Sequence, residues 1–172
     1  MKAIVALLAM SCAVAVYAGE GMEISSPSFR DGESLPLDIT CGGPNLSPKL
    51  DWKGIPETTK SLAVVCDDPD APRGTWAHWV IYNLPPSGSG LESGLPPSAT
   101  LPGGVLQGTN DYGKVGYDGP CPPPGKPHRY YYRLYALDIL LDLPPGARRA
   151  ELQSAMRGHV LAEASLMGTF QR

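Results

Sequence analysis

Three stretches of this 172-residue sequence carry side chains able to do chemistry. The first is Asp67-Asp68-Pro69-Asp70-Ala71-Pro72, directly after the apolar run Ser61 to Cys66. Pro69 restricts Asp68 to extended backbone and Pro72 stiffens the exit, so rigid chain aims the carboxylates. The competing reading is a tight turn whose aspartates accept backbone N–H groups. The second stretch is Trp76 to Tyr82, where His78 opens an otherwise apolar strand. Alternation places Trp76, His78 and Val80 on one face and Ala77, Trp79 and Ile81 on the other. A lone histidine there is more often a satisfied core or edge residue than a ligand. The third runs from Gly119 through Cys121, Pro122, Pro123 and Pro124 to His128-Arg129-Tyr130. Its prolines lower the entropy cost of an open cleft wall. A polyproline surface linker is the alternative.

Brought together, two aspartates, two histidines and a tyrosine would form one small polar pocket with aromatic and proline walls. Such a pocket suits a phosphate monoester or another small anion, with imidazole N–H donors whose tautomer an aspartate fixes. Carboxylates repel a naked dianion, so recognition needs protonated histidines, backbone N–H donors or a bridging cation. The enzymatic rival is a metal-dependent hydrolase with Asp68, His78 and His128 as ligands. The sequence holds no His-x-x-His, His-Glu-x-x-His or Cys-x-x-Cys spacing and no Gly-x-Ser-x-Gly elbow. A non-enzymatic binding protein without cofactor is the preferred reading.

Strands must position these groups. Leu35 to Thr40, Leu62 to Cys66, Trp79 to Leu84 and Tyr130 to Leu137 read as strands, each rich in β-branched or aromatic residues between turn formers. Leu152, Met156 and Val160 recur every four residues, which predicts two short helices over Arg149 to Leu166, divided at Gly158 and ended by Gly168. Thr169 to Arg172 read as a returning strand or edge segment. Pro85 to His128 is too dense in glycine and proline for regular elements, yet Asn110 to Gly113 and Gly116 to Gly119 predict an ordered binding loop. Leu91, Leu95 and Leu101 lie between prolines in the Pro85 to Leu106 segment. They suit either the docking surface of a secreted protease inhibitor or homodimer, or a loop packed on its own body.

Lys2, the apolar run Ala3 to Val16 and the ending Val16-Tyr17-Ala18 predict a secretory signal cut after Ala18, hence a secreted or periplasmic protein. A membrane anchor needs roughly 20 apolar residues, and Gly19-Glu20 arrive too early, so no stable membrane insertion is expected. Cleavage before Cys12, as in a lipoprotein, would follow a poor lipobox, Leu8-Ala9-Met10-Ser11. Residues 19–172 have the length of one domain. A net charge of -3 argues against capture by nucleic acid. Once Cys12 leaves with the signal, Cys41, Cys66 and Cys121 allow at most one internal disulfide. Cys66 reads as a small core residue, leaving Cys41 and Cys121 as the pair if one forms.

Asp68-Pro69-Asp70-Ala71-Pro72, Trp76 to Pro85, Gly108 to Gly113, Gly116 to Leu137 and His159 to Arg172 together resemble the phosphatidylethanolamine-binding protein family. The Gly-Pro-Cys-Pro-Pro run and the Gly-Thr-Phe-Gln-Arg ending are similar to its bacterial, Raf-kinase-inhibitor-like branch. The resemblance implies a mainly β fold, a large central antiparallel sheet packed on a smaller one, with short C-terminal helices. It also implies a pocket for anions and phosphorylated head groups, and regulation of a protein kinase or protease as in relatives. The family's ligand residues carry over onto Asp68, Asp70, Trp76, His78, His128 and Tyr130, with Gly119, Cys121 and Pro122 on the rim. Animal members have glycine where this chain has Cys121, whose side chain either narrows the pocket or is tied to Cys41.

Overall fold

Apolar and aromatic alternation builds two antiparallel sheets in the computed structural model, which describes residues 21–172. The expected signal segment and Cys12 lie outside the described residues. The small sheet joins β1 (Glu23–Ser25), β2 (Leu50–Lys53) and β5 (Gly90–Leu91) in the order β1-β2-β5. The large sheet holds β3 (Ser61–Asp68), β4 (Trp76–Leu84), β6 (Leu106–Gln107), β7 (His128–Leu137) and β8 (Val160–Phe170) in the order β6-β4-β3-β7-β8. β3 is central and buried along its whole length, which is why its sequence reads as a continuous apolar run rather than an alternating one.

One face of the large sheet meets the small one. Val64, Cys66, Trp79, Tyr132 and Leu134 pack against Leu50 and Trp52 there. The opposite face, with Ala63, Val65, Val80 and Tyr82, is covered by Leu141, Ala147 and the helix α1 (Arg149–Ala155) through Leu152. Each such large side chain contributes about 1.5–3 kcal/mol by leaving water.

Two expected elements are corrected. Leu35 to Thr40 is not a strand: Leu37–Ile39 form a single 3-10 turn, closed by Thr40 N–H donating to the Leu37 carbonyl at 2.9 Å. The turn buries Ile39 and exposes Leu37, so the apolar pair never shares a sheet face. The second expected helix is instead β8, because β7 has a free edge that ten residues of β8 satisfy by pairing. The helix ends at Ala155 although the period-four signal runs on to Val160, and Gly158, with a φ of 80°, turns the chain away from α1. Gly168 is no helix end either. It sits inside β8, where an added Cβ would lie 2.2 Å from Leu35 Cδ2.

Pro85 to His128 contains β5, β6 and one 3-10 turn at Pro102–Gly104, slightly more regular structure than expected. Its leucines turn inward. Leu101 is buried and Leu91 and Leu95 pack on the core, while Ser47 anchors the segment, its carbonyl accepting Gly94 N–H and its hydroxyl accepting Leu95 N–H, both at 2.9 Å.

Candidate functional site

Antiparallel pairing carries the end of β3 and the starts of β4 and β7 to the same edge of the large sheet. Asp68 pairs with Trp76, and Asp67 with both Ala77 and Tyr131. A β-bulge then sets the face of β4. Cys66 pairs with Trp79 and Asp67 with Ala77, leaving His78 as a surplus residue. Bulges re-aim side chains in this way. Ala77 consequently packs with Val80 and Tyr82, whereas Trp79 packs with Ile81 in the other core. Strict alternation is corrected here: Val80 is not on the His78 face, and Ala77 is not on that of Trp79.

The result is a cleft of about 240 Å³ whose floor is Asp68, Trp76, His78, His128 and Tyr130. Cys121, Pro122 and Pro123 form one rim, and Pro72, Arg73 and Tyr112 the other. Tyr112 sets its ring edge-on to Trp76 and His78, at 5.3 and 5.6 Å between centroids, and Tyr130 lies 5.3 Å from His78. Aromatic edges packed at such distances hold one another's orientation.

The polar groups are oriented in pairs. His128 Nδ1 lies 2.8 Å from Asp68 Oδ2, and both side chains are nearly buried. Asp68 Oδ1 accepts the Asp70 N–H at 2.8 Å, so Asp68 is turn former and imidazole partner at once. His78 Nδ1 stands 2.7 Å from the Asp118 carbonyl oxygen, and Asp118 N–H donates back to the His78 carbonyl at 3.0 Å. Burial pushes the His78 imidazole below its ordinary pKa, against the opposing pull of the Asp118 carbonyl. Two donors are left over. Trp76 Nε1 and the Tyr130 hydroxyl are buried without a hydrogen-bond partner among the described residues. Burial, and then the nearby Asp68 charge, hold the proton on Tyr130 well beyond the usual tyrosine range.

Asp70 and Gly119, two of the sequence candidates, support the cleft without lining it. The Asp70 carboxylate accepts from Arg129 Nε at 2.8 Å, Nη2 at 2.7 Å and the backbone N–H at 3.0 Å, clamping the Asp-Pro turn to β7. These bonds hold Asp70 at about 2. Gly119 donates to Asn45 Oδ1 at 2.7 Å, and a Cβ there would fall 2.2 Å from the Ile39 carbonyl oxygen. Cys121 is joined to Cys41 by a disulfide, and Cys66 is buried and free. The rim loop is held again when Arg172 Nε donates to the Pro122 carbonyl at 2.8 Å.

Tyr112 and Arg73 line the cleft and were not among the sequence candidates. A signal for Tyr112 existed in Asn110, whose Oδ1 accepts Tyr112 N–H at 3.0 Å and Lys114 N–H at 3.1 Å and so freezes the loop. Arg73 had no such mark. Among the described residues no three His, Cys, Asp or Glu side chains are grouped to hold a metal ion, so the hydrolase ligand set Asp68, His78 and His128 gains no support.

The phosphatidylethanolamine-binding protein family model matches residues 25–171. The chain belongs to this family. It is 52% identical to a UPF0098 protein of Methanothermobacter thermautotrophicus, over 88% of this chain and 99% of the relative. A second UPF0098 protein, from Aquifex aeolicus, is 44% identical over 90% of this chain and 91% of its own. Among solved structures, a putative phosphatidylethanolamine-binding protein homolog, CT736 of Chlamydia trachomatis, matches with a TM-score of 0.81 at 38% identity, covering 88% of this chain and 98% of that one. YbcL of E. coli, described as a new member of the mammalian family, gives 0.81 at 32% identity over 89% and 99%. The mainly β phosphatidylethanolamine-binding fold is thus established, with one short helix among the described residues where two were expected.

Proposed function

We propose that this family member is an exported, non-catalytic binding protein whose cleft takes a small anionic or phosphorylated ligand. The observation that carries the reading is the cleft that gathers Asp68, Trp76, His78, His128 and Tyr130 behind a proline rim. Arg73 on the wall adds positive charge, and the Asp68–His128 pair softens the one carboxylate that would repel an anion. Export is supported by the apolar leader before Ala18 and by the Cys41–Cys121 disulfide, a bond of oxidising compartments.

The ligand-filled cleft would in turn present a rim to a protein kinase or protease, or to a second copy of the chain. Among the described residues no helix is long and apolar enough to cross a membrane. The test is thermal stabilisation together with histidine NMR shifts on titration with phosphate and phosphoethanolamine. Movement of the His78 and His128 signals at millimolar ligand is expected. Silence of both removes the reading.

A further inference from the structure

At the far end of β4 from the cleft, the loop after β5 curls back and leaves an open crevice of about 380 Å³. Trp76 begins β4 at the cleft and Leu84 ends it at the crevice, so the two residues lie roughly 25 Å apart at about 3.3 Å per residue. Leu84, Leu101 and Val105 form a buried floor, Leu91 and Leu95 the partly buried walls. Pro96 and Pro102 are the exposed lip. None of these seven side chains carries a charge or a hydrogen-bonding atom. The two prolines have no N–H, and the Leu95 and Leu101 N–H groups are already engaged, by Ser47 Oγ at 2.9 Å and the Val105 carbonyl at 2.8 Å. Buried Gln107 fixes the loop in this shape: its Nε2 donates to the Pro96 and Ser98 carbonyls at 2.8 and 2.9 Å, and its Oε1 accepts Trp79 Nε1 at 2.9 Å. The crevice is therefore formed before anything enters it, which lowers the cost of filling it.

We propose that this crevice is a second binding site, independent of the anion reading, for the hydrocarbon end of a small uncharged amphiphile. Size and chemistry choose the occupant. A chain-to-chain interface takes about 20–30 residues a side, and the crevice offers seven, so a protein partner would find too little surface. An apolar cavity of about 150 Å³ holds one benzene, so this volume takes a chain of roughly ten carbons once its open mouth is allowed for. A polar atom inside would lose its water and find no partner, which excludes sugars, nucleosides and peptides. Ser98 and Thr100, close to the lip in the chain, are exposed, and the head group stays in solvent on their side.

The test follows the methyl NMR signals of Leu84, Leu91, Leu95, Leu101 and Val105 while 1-butanol, 1-hexanol and 1-octanol are added in turn. Those methyls should move and saturate, and affinity should rise about two- to fourfold for each added methylene. Octane-1,8-diol, which brings a second hydroxyl to the crevice, should bind roughly tenfold or more weakly than 1-octanol. Leu95→Trp, which fills the space from a partly exposed wall, should lose about tenfold in octanol affinity while the His78 and His128 signals stay in place. If that variant does not fold, the alcohol series on the wild-type chain decides alone. Shifts that grow without saturating, or that appear equally at the exposed Leu140 and Leu161, mean nonspecific partitioning and overturn the proposal. Movement of the same methyls with protein concentration alone, together with a dimer mass in sedimentation, gives the crevice to a second copy and overturns it too. Failure of phosphate binding leaves this result untouched, and the reverse holds, because the cleft and the crevice share no residue.

Discussion

His128 and Asp68 are 60 positions apart in the chain and lie 2.8 Å apart in the fold, with side chains 11% and 4% exposed. The pair links the Asp-Pro turn after β3 to the start of β7. Asp68→Ala leaves both the His128 Nδ1 and the Asp70 N–H without an acceptor. Stability is expected to fall by about 3 kcal/mol, measured by urea unfolding. Asp68→Asn keeps an acceptor for Asp70 N–H but removes the charge, so it should cost less. A loss as small as that of an exposed substitution would show that the pair does not form.

Tyr130→Phe separates stability from binding. The hydroxyl is buried with no partner, so removing it should leave the unliganded protein equally stable or about 1 kcal/mol more stable. Phosphate affinity should drop roughly tenfold, the worth of one hydrogen bond to a charged group. Parallel loss of both properties would mean that the hydroxyl is structural.

Reduction of the Cys41–Cys121 bond, which spans 80 residues, should lower unfolding free energy by about 4 kcal/mol. Scanning calorimetry with and without a dithiol reads this directly. Cys66 is buried and unpaired, so Cys66→Ala should leave the reductant-induced difference intact.

His78 makes stability depend on pH. Its folded pKa lies below the ordinary 6.5, so between the two values the unfolded chain binds a proton that the folded one refuses. Stability should therefore be full above about pH 6.5 and decline as pH falls below it. Urea unfolding between about pH 8 and pH 5, with the His78 ring followed by NMR, checks the sign. A His78 signal titrating above 6.5 would reverse it.

Much of the site could be read from sequence because its residues sit where strands begin and end, and such points are marked by local chemistry. Asp68 precedes a proline, and His128 and Tyr130 follow a proline-rich run. The two elements misread have non-local causes. Val160 continues the period-four pattern of Leu152 and Met156, yet the edge of β7, some thirty residues earlier, dictates pairing. The Leu35 to Thr40 segment has strand-like composition, but it meets the edge of β8 only at its start, where Leu35 N–H donates to the Thr169 carbonyl at 2.8 Å, before the 3-10 turn at Leu37–Ile39. The facing of Trp79 and Val80 was not legible for a third reason: no residue type announces a bulge, which emerges only when β3 and β4 are laid side by side. Tyr112 and Arg73 reach the cleft from turns whose course depends on what they pack against.

The chain registers at two successive rungs, Cys66 with Trp79 and Asp67 with Ala77, differ by a single amino acid. Excising His78 would close this shift, leaving the one between Leu62 and Val64, while stripping the cavity of an imidazole. The make-up of the cleft is thus tied to strand length as well as to side-chain identity, and under the proposed function one codon gained or lost would be enough to change what it binds.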